Sequence, residues 1–247
     1  MARTIIVVPC FNEVTRLSVT SFRSFASRWS EGAFLLVNDG STDDTSGLLR
    51  ALQESMPESF TTLDLPQNAG KAEAVRRGFE LAFKSTPDYV GFWDADLATP
   101  LEAVPLFEAV FAERPMVEMV FGARVKLLGR RIERRRVRHY LGRCFATATA
   151  LVLGLEIYDS QCGAKLFRNT EILRSIFKEP FLSRWIFDVE ILARLVRLKR
   201  PWPPVNVATI VYELPLPEWV DKAGSKVRPC DFARALVELW RIYLTLR

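Results

Sequence analysis

Two aspartates one residue apart, Asp94 and Asp96, follow an apolar run at residues 89–93. Side chains two apart on a strand share a face, so a strand that ends at Trp93 presents both carboxylates to the same space. Two carboxylates suit a hard divalent cation such as Mg²⁺ or Mn²⁺, which completes its shell with water and ligand phosphates. The pair therefore predicts a metal site for a nucleotide diphosphate. The alternative is that the aspartates only end a strand or cap a helix.

Short apolar runs alternate with helical patterns through the first half of the chain. The runs lie at residues 4–8, 33–37, 60–65, 89–93 and 117–121, and the helical patterns at 14–29, 42–56, 71–84 and 101–113. This alternation predicts an α/β fold with a mostly parallel sheet and flanking crossover helices. Ligands of such sheets bind at the carboxyl ends of the strands.

Polar residues collect where the predicted strands end. They are Pro9, Asn12 and Glu13 after the first run, and Asn38 and Asp39 after the second. Asp39 leads into a turn and then a helix, whose first N–H groups are expected to be capped by Ser41 or Thr42. Turn formation is therefore an alternative role for Asp39.

A third segment, residues 68–71 with the sequence Asn-Ala-Gly-Lys, superficially resembles a phosphate-binding loop. It lacks the spaced glycine and the Ser or Thr that follow the lysine in a P-loop. The sequence thus excludes a P-loop ATPase.

The composition indicates one sizeable core. The chain has 247 residues, 49% of them hydrophobic, which suits a single domain over residues 1–247. Its four cysteines have no zinc-ligand spacing, so a reduced cytosolic setting is favoured over a disulfide scaffold. The most apolar window, residues 144–155, is shorter than the roughly 20 residues of a transmembrane helix. We therefore expect no membrane span.

Basic residues are concentrated between residues 124 and 143, where nine Lys or Arg accompany one acid, Glu133. The net positive charge of this segment is larger than that of the whole chain, which is +5. The remaining residues therefore carry a net negative charge. Such a block indicates a solvated face or a polyanion contact with nucleic acid, anionic lipid or a phosphorylated acceptor. Nucleic acid is disfavoured, because the arginines and aromatics are not interleaved as a stacking platform.

Four ordered segments, at residues 8–13, 37–45, 68–71 and 94–97, resemble the motifs of family 2 inverting glycosyltransferases. Two later segments, residues 159–167 and 184–190, are similar to the subgroup that glycosylates polyprenyl phosphates, and most of all to dolichyl-phosphate β-glucosyltransferases. The resemblance implies a GT-A (Rossmann-like) fold. It also implies a nucleotide-binding half over residues 1–123 and an acceptor-binding half over residues 124–247.

The same resemblance assigns roles on the donor side. Asp39 reads the nucleotide base, and Asp94 and Asp96 hold Mg²⁺ or Mn²⁺ on the diphosphate. Related mannosyl enzymes carry a metal-approaching Gln where this chain has Ala98. The remaining implied nucleotide-binding residues are Pro9, Phe11, Glu13, Lys71 and Ala95.

On the acceptor side, a phosphate is already anionic at neutral pH and needs a cationic cradle more than a base. By resemblance, Arg124 binds the acceptor phosphate, and Arg131, Arg134 and Arg135 complete the cradle. Asp159 lies near the acceptor as a base or an orienting carboxylate.

Each acid of the later segments also has a structural alternative. Asp159 could cap a helix or pair with Lys165. Asp188 and Glu190 start a helical pattern at residues 185–199, where acids favour the helix dipole without any function. A role for them in closing the site is the other interpretation.

Two segments predict contact with a membrane face. Basic residues 130–143 precede the apolar residues 144–155, and the C-terminal segment forms an amphipathic helix with a wide apolar face. The apolar face comprises Phe232, Leu236, Leu239, Tyr243 and Leu246, and the polar stripe comprises Arg234, Glu238, Arg241 and Thr245. We expect a cytoplasmic protein bound peripherally to an anionic membrane surface on its cytoplasmic face, or held there by a membrane-protein partner.

The leading hypothesis is metal-dependent inverting transfer of a hexose, glucose from UDP-glucose, to a polyprenyl phosphate. Two alternatives stay open: a soluble family 2 transferase acting on a sugar or protein hydroxyl, and a nucleic-acid-binding protein. The basic block and the segment that begins at Asp159 favour the first.

Overall fold

The computed structural model describes residues 3–134, 136–198, 206–222 and 229–246. The strands are β1 (Thr4–Cys10), β2 (Gly32–Asn38), β3 (Phe60–Asp64), β4 (Tyr89–Trp93), β5 (Met119–Ala123), β6 (Arg131–Glu133), β7 (Ala164–Arg168), β8 (Val211–Pro215) and β9 (Glu218–Val220). The α-helices are α1 (Val19–Ala26), α2 (Thr45–Ser55), α3 (Lys71–Ala82), α4 (Val104–Glu113), α5 (Arg136–Leu153), α6 (Glu171–Lys178), α7 (Phe187–Arg197), α8 (Val207–Ile210) and α9 (Pro229–Leu246). Short 3₁₀ turns span Phe83–Ser85 and Leu101–Ala103.

Seven strands form one sheet in the order β3-β2-β1-β4-β7-β5-β8, and β6 pairs with β9 in a small second sheet. The large sheet is parallel except for β7, which runs antiparallel between β4 and β5. The predicted α/β fold is therefore confirmed. Because β7 is reversed, its first residue, Ala164, pairs with Trp93, the last residue of β4. The loop that leads into β7 thus lies at the strand edge that carries Asp94.

Both faces of the sheet are covered by helices. Helices α1, α2 and α4 pack on one face, and α3, α6 and α7 pack on the other. On the second face, the rings of Phe79 and Phe177 stack with centroids 4.0 Å apart and both meet Phe167 edge-on. Fully burying one such side chain contributes about 1.5–3 kcal/mol. These contacts pack α3 and α6 against β7.

Several predicted boundaries were wrong near the first two helices. Helix α1 starts at Val19 rather than residue 14, because a turn that closes from the Leu17 N–H to the Glu13 carbonyl comes first. Helix α2 starts at Thr45, and the side chain of Asp43 accepts the Thr45 N–H at 3.1 Å. Ser41 and Thr42 therefore do not cap it. They form hydrogen bonds with Asn12 instead.

Helices α5, α7 and α9 form a third layer around Phe145, Ile186, Leu239 and Ile242. The predicted apolar face of α9 is split by this packing: Leu239 is buried, whereas Leu236 is 51% exposed. The side chains of Phe232 and Leu246 lie outside the described part of the chain. Among the described helices, none is long and apolar enough to cross a bilayer.

Candidate active site

The carboxyl ends of β1, β2, β4 and β5 and the loop before β7 open on a cavity of about 770 Å³. Eleven of the predicted site residues line it: Pro9, Phe11, Glu13, Asp39, Lys71, Asp94, Ala95, Asp96, Arg124, Arg134 and Asp159. Two predicted residues do not belong to this set. Arg131 lies elsewhere, and Arg135 is outside the described residues. The structure therefore brings the predicted donor and acceptor residues into one space.

Asp94 and Asp96 are partly exposed at the end of β4, with side chains 38% and 29% accessible. Burial and the neighbouring Asp94 charge raise the pKa of Asp96, as expected for two carboxylates that share a site. Carboxylate oxygens within reach of solvent fit a hard divalent cation. Within the described residues, no cluster of three His, Cys, Asp or Glu side chains could hold a metal. A cation here would thus need oxygens from water and a diphosphate.

Ala98 contributes to this site through its backbone. Its N–H donates to Asp96 Oδ1 at 3.0 Å, and this bond orients the carboxylate. Its methyl side chain supplies no metal ligand.

Gly163, which directly precedes β7, leaves the space that the Asp94 carboxylate occupies. The Asp94 N–H donates to the Gly163 carbonyl at 2.9 Å, and a Cβ built on Gly163 would lie 1.8 Å from Asp94 Oδ2. Non-bonded atoms cannot approach so closely, so any side chain at residue 163 would displace the carboxylate. The glycine thus couples the loop before β7 to the position of the Asp94 carboxylate.

We predict that Gly163→Ala weakens Mn²⁺ binding in the presence of UDP by about tenfold, on the scale of losing a supporting contact to a metal ligand. The expected cause is that the alanine methyl group displaces the Asp94 carboxylate from its present position. Isothermal titration calorimetry would measure the effect. Binding equal to that of the parent chain would contradict it.

Asp39 is buried at the end of β2 and holds the loop at residues 68–70. Its Oδ1 accepts the Ala69 N–H at 2.8 Å, and its Oδ2 accepts the Gly70 N–H at 2.9 Å and the Asn68 amide at 3.0 Å. Burial raises the pKa of Asp39, although these hydrogen bonds oppose the rise. The carboxylate therefore shapes the donor pocket, and base recognition by Asp39 stays a prediction.

The segment after β1 is fastened to the turn after β2. Asn12, in the left-handed region at φ 51°, accepts the Thr42 N–H at 2.9 Å and donates its own N–H to Ser41 Oγ at 3.0 Å. The Glu13 N–H donates to Thr45 Oγ1 at 2.8 Å. Residues 9–13 are thereby fixed along the cavity wall.

Arg124 and Asp159 form a buried bidentate pair that lines the same cavity as the aspartates. Arg124 Nε and Nη2 donate to the two carboxylate oxygens at 2.6 and 2.7 Å, and the Arg124 N–H adds a third bond at 3.0 Å. Burial alone would raise the pKa of Asp159, but the guanidinium overcomes it and lowers the pKa to about 2. A carboxylate so engaged orients the arginine. It is a poor proton acceptor at neutral pH.

Glu213 anchors the loop that carries Asp159. Its two carboxylate oxygens each accept one backbone N–H, from Tyr158 and from Asp159, at 2.7 Å. Burial raises the pKa of Glu213. The part of the cavity around Asp159 is therefore built on β8, an element that the sequence patterns did not reveal.

The predicted pairing of Asp159 with Lys165 is wrong, because Lys165 pairs with Asp188 at 2.6 Å. Lys165 is fully buried and also donates to the Cys162 carbonyl at 2.6 Å. Glu190 accepts backbone N–H groups at residues 182 and 183 and pairs with Arg194. Both acids on α7 thus have structural partners, and Asp188 in addition lines the cavity.

The predicted arginine cradle is partly corrected. Arg131 is 63% exposed and pairs with Glu133 and Glu218, so it does not face the cavity. Arg134 does line it, with its guanidinium carbon 5.8 Å from the centre of the Trp219 ring.

The cavity residues that the sequence analysis did not single out include Arg16, Arg143, Tyr158 and Trp219. Arg143 donates to the Tyr158 carbonyl at 2.8 Å and lies over its ring. Arg143 belongs to the basic block, so the sequence shows its charge. The sequence does not show that its side chain points into the cavity. Arg16 falls three residues after Glu13, the one local signal that could have identified it.

Known proteins share both the sequence pattern and the fold. The chain is 31% identical to a dolichyl-phosphate β-glucosyltransferase of Dictyostelium discoideum over 91% of its own length and 68% of the relative's. It is also 31% identical to one of Saccharomyces cerevisiae, over 90% and 68%. A crystal structure of Mycobacterium tuberculosis glucosyl-3-phosphoglycerate synthase with Mn²⁺, UDP and glucosyl-3-phosphoglycerate superimposes with a TM-score of 0.67 at 19% identity, covering 99% of this chain and 80% of that one.

The family model for glycosyl transferase family 2 matches residues 5–176, well over half of the chain. The matched region contains the aspartate pair, Arg124 and Asp159, and the superposition confirms the predicted GT-A fold. The chain is a glycosyltransferase and belongs to glycosyl transferase family 2.

Proposed function

We propose that this protein transfers glucose from UDP-glucose to a polyprenyl phosphate, with inversion at the sugar. One observation carries the proposal: Asp94, Asp96 and Arg124 line a single cavity, so a donor diphosphate held at the aspartates and an acceptor phosphate held at Arg124 would share it. The dolichyl-phosphate β-glucosyltransferases that cover most of the chain support this acceptor and this sugar. Residues 1–123 then form the donor half, and residues 124–247 the acceptor half.

Asp94 and Asp96 would hold Mg²⁺ or Mn²⁺, which supplies charge neutralisation for the departing diphosphate. Residues of the chain bind the nucleotide and orient the acceptor. Residues 9–13 and the loop held by Asp39 enclose the nucleotide. Arg124, fixed by Asp159, orients the acceptor phosphate and offsets its repulsion from the donor.

The direct test incubates the protein with UDP-glucose, GDP-mannose or UDP-N-acetylglucosamine, with a short polyprenyl phosphate, and with Mg²⁺ or Mn²⁺. Mass spectrometry of the lipid fraction should show hexosylated polyprenyl phosphate with UDP-glucose. Parallel reactions with 3-phosphoglycerate and with simple sugars test a water-soluble acceptor. Product on those acceptors alone would overturn the lipid proposal and favour the soluble alternative.

We further propose that the protein works at an anionic membrane surface on the cytoplasmic side, by peripheral binding or through a membrane-protein partner. Two observations support this location. Helix α9 exposes Leu236, Val237, Trp240 and Leu244, which are each at least half accessible. Helix α5 exposes Leu151 and begins in the basic block. An apolar face beside basic residues fits the boundary of an anionic bilayer.

Flotation with liposomes containing phosphatidylserine should recover the protein at low salt, and recovery should fall as the salt concentration rises, because the charge attraction is screened. Trp240→Glu should reduce flotation by about fivefold, since apolar area no longer enters the interface. Leu106→Glu, at an exposed site on α4, is the matched control and should float normally. Equal flotation of both variants would exclude α9 as the contact.

A further inference from the structure

Each aspartate of the metal site has its own basic partner in the cavity. Lys71 Nζ lies 2.5 Å from Asp94 Oδ1, and Arg16 Nη2 lies 3.6 Å from Asp96 Oδ2. Arg16 also reaches Glu13 Oε1 at 3.4 Å. The basic side chains are only 27% and 22% exposed, so these pairs are less screened than pairs at an open surface.

The net charge of this group bears on metal binding. The carboxylates of Glu13, Asp94 and Asp96 and the two cations sum to −1, and a divalent ion that arrives alone meets ligands already paired with Arg16 and Lys71. A nucleotide sugar carries about two negative charges on its diphosphate, so the metal and the diphosphate together add no net charge. The group therefore keeps its net charge only if metal and diphosphate arrive together.

Both cations are suited to phosphate as well as carboxylate. The planar guanidinium of arginine forms paired hydrogen bonds to either group, and lysine serves phosphate as a point charge. Arg16 and Lys71 both line the cavity beside the aspartates. A change of partner from a carboxylate to a diphosphate oxygen thus needs only a side-chain movement.

We propose that Arg16 and Lys71 are exchangeable counter-cations: they occupy the aspartates while the donor is absent and pass to the donor diphosphate when the metal takes the carboxylates. Arg16 is then a positioning residue that makes metal and nucleotide bind together. The inference rests on the proposed use of a UDP-sugar. It does not depend on the identity of the acceptor.

The test measures two affinities of the Arg16→Gln variant by calorimetry. Mn²⁺ without nucleotide should bind about fivefold tighter than to the parent chain, because a competing charge is gone. UDP at saturating Mn²⁺ should bind about tenfold weaker, because a phosphate contact is lost. Lys71→Gln should show the same opposite pair of changes. Arg16→Lys, which keeps the charge, should restore most of both values.

Arg28→Gln is the matched control, since Arg28 forms a 3.5 Å pair with Glu102 at the exposed surface. It should leave both affinities unchanged. Unchanged or weaker Mn²⁺ binding to Arg16→Gln would overturn the exchange, because a purely supporting residue weakens both ligands or neither. A parent chain that does not bind UDP would overturn it too. Failure to glycosylate polyprenyl phosphate, with these affinities as expected, would overturn only the acceptor proposal.

Discussion

Asp96→Asn is expected to lower kcat/KM for hexose transfer by about a thousandfold, the scale of losing a main electrostatic contact in a transition state. The amide keeps the shape of the carboxylate and can still accept the Ala98 N–H that now reaches Oδ1 at 3.0 Å. It removes the negative charge that would hold a divalent cation. Initial rates with UDP-glucose and polyprenyl phosphate at several Mn²⁺ concentrations measure the effect.

Asp88→Asn is the control for this substitution, because Asp88 is 68% exposed and pairs with Arg3 away from the cavity. It should leave turnover unchanged. Thermal melting should show that both variants fold. A folded Asp96→Asn chain with full metal-dependent turnover would exclude Asp96 as a ligand.

The placement of Asp39, Asp94 and Asp96 could be predicted from the sequence because these residues directly follow their strands. Alternating apolar runs identified β1, β2, β4 and the carboxyl edge that they share, and Asp39, Asp94 and Asp96 come at those strand ends. In parallel strands the chain position of a residue determines the edge where it lies. The position of each residue directly after its strand was therefore sufficient to predict that these residues lie close together.

The acceptor side could not be predicted in the same way, because its contacts join distant segments. Arg124 meets Asp159 across 35 residues, and Lys165 meets Asp188 across 23. Both pairs depend on the reversal of β7 between β4 and β5, and hydrophobic patterns carry no information on strand direction.

The sequence shows that the basic block is positively charged, but it does not show which of its side chains point into the cavity. Arg131 and Arg134 are three residues apart, yet Arg131 pairs outside the cavity and Arg134 lines it. The short strand β6 determines this difference by pairing with β9. No feature of a run of arginines predicts such a pairing.

Asp159→Asn is expected to lower kcat/KM by about a hundredfold without changing the shape of the pH–rate profile between about pH 5 and 9. The reason is that the pKa of Asp159 is about 2, so its carboxylate is ionised throughout that range. The loss arises because Arg124 is no longer held in place by two charge-assisted hydrogen bonds. Arg124→Lys should lose a similar factor, since an ammonium cannot form the paired contact.

Stability supplies the second readout for this pair. Removing one partner of a buried ion pair costs about 3–5 kcal/mol, because the other charge stays buried and unpaired. The pKa of Asp159 is depressed on folding, so its contribution is present above the unfolded value of about 3.9 and is lost as the pH falls toward 2. The difference in unfolding free energy between the parent chain and Asp159→Asn should therefore shrink from pH 5 to pH 2, as urea denaturation would measure.

These two readouts distinguish an orienting carboxylate from a general base. A base must take a proton in the reaction, so a site that used Asp159 as its base would show an acid limb between about pH 5 and 9 in the parent chain, and Asp159→Asn would remove that limb. An orienting carboxylate with a pKa of about 2 gives no limb in this range, and its removal displaces the arginine. If the parent chain shows the limb, Asp159→Asn removes it and Arg124→Lys keeps full activity, Asp159 is the base and its ion pair is secondary. If both variants lose activity and the shape of the profile does not change, the acceptor phosphate is bound by an arginine that Asp159 holds in position.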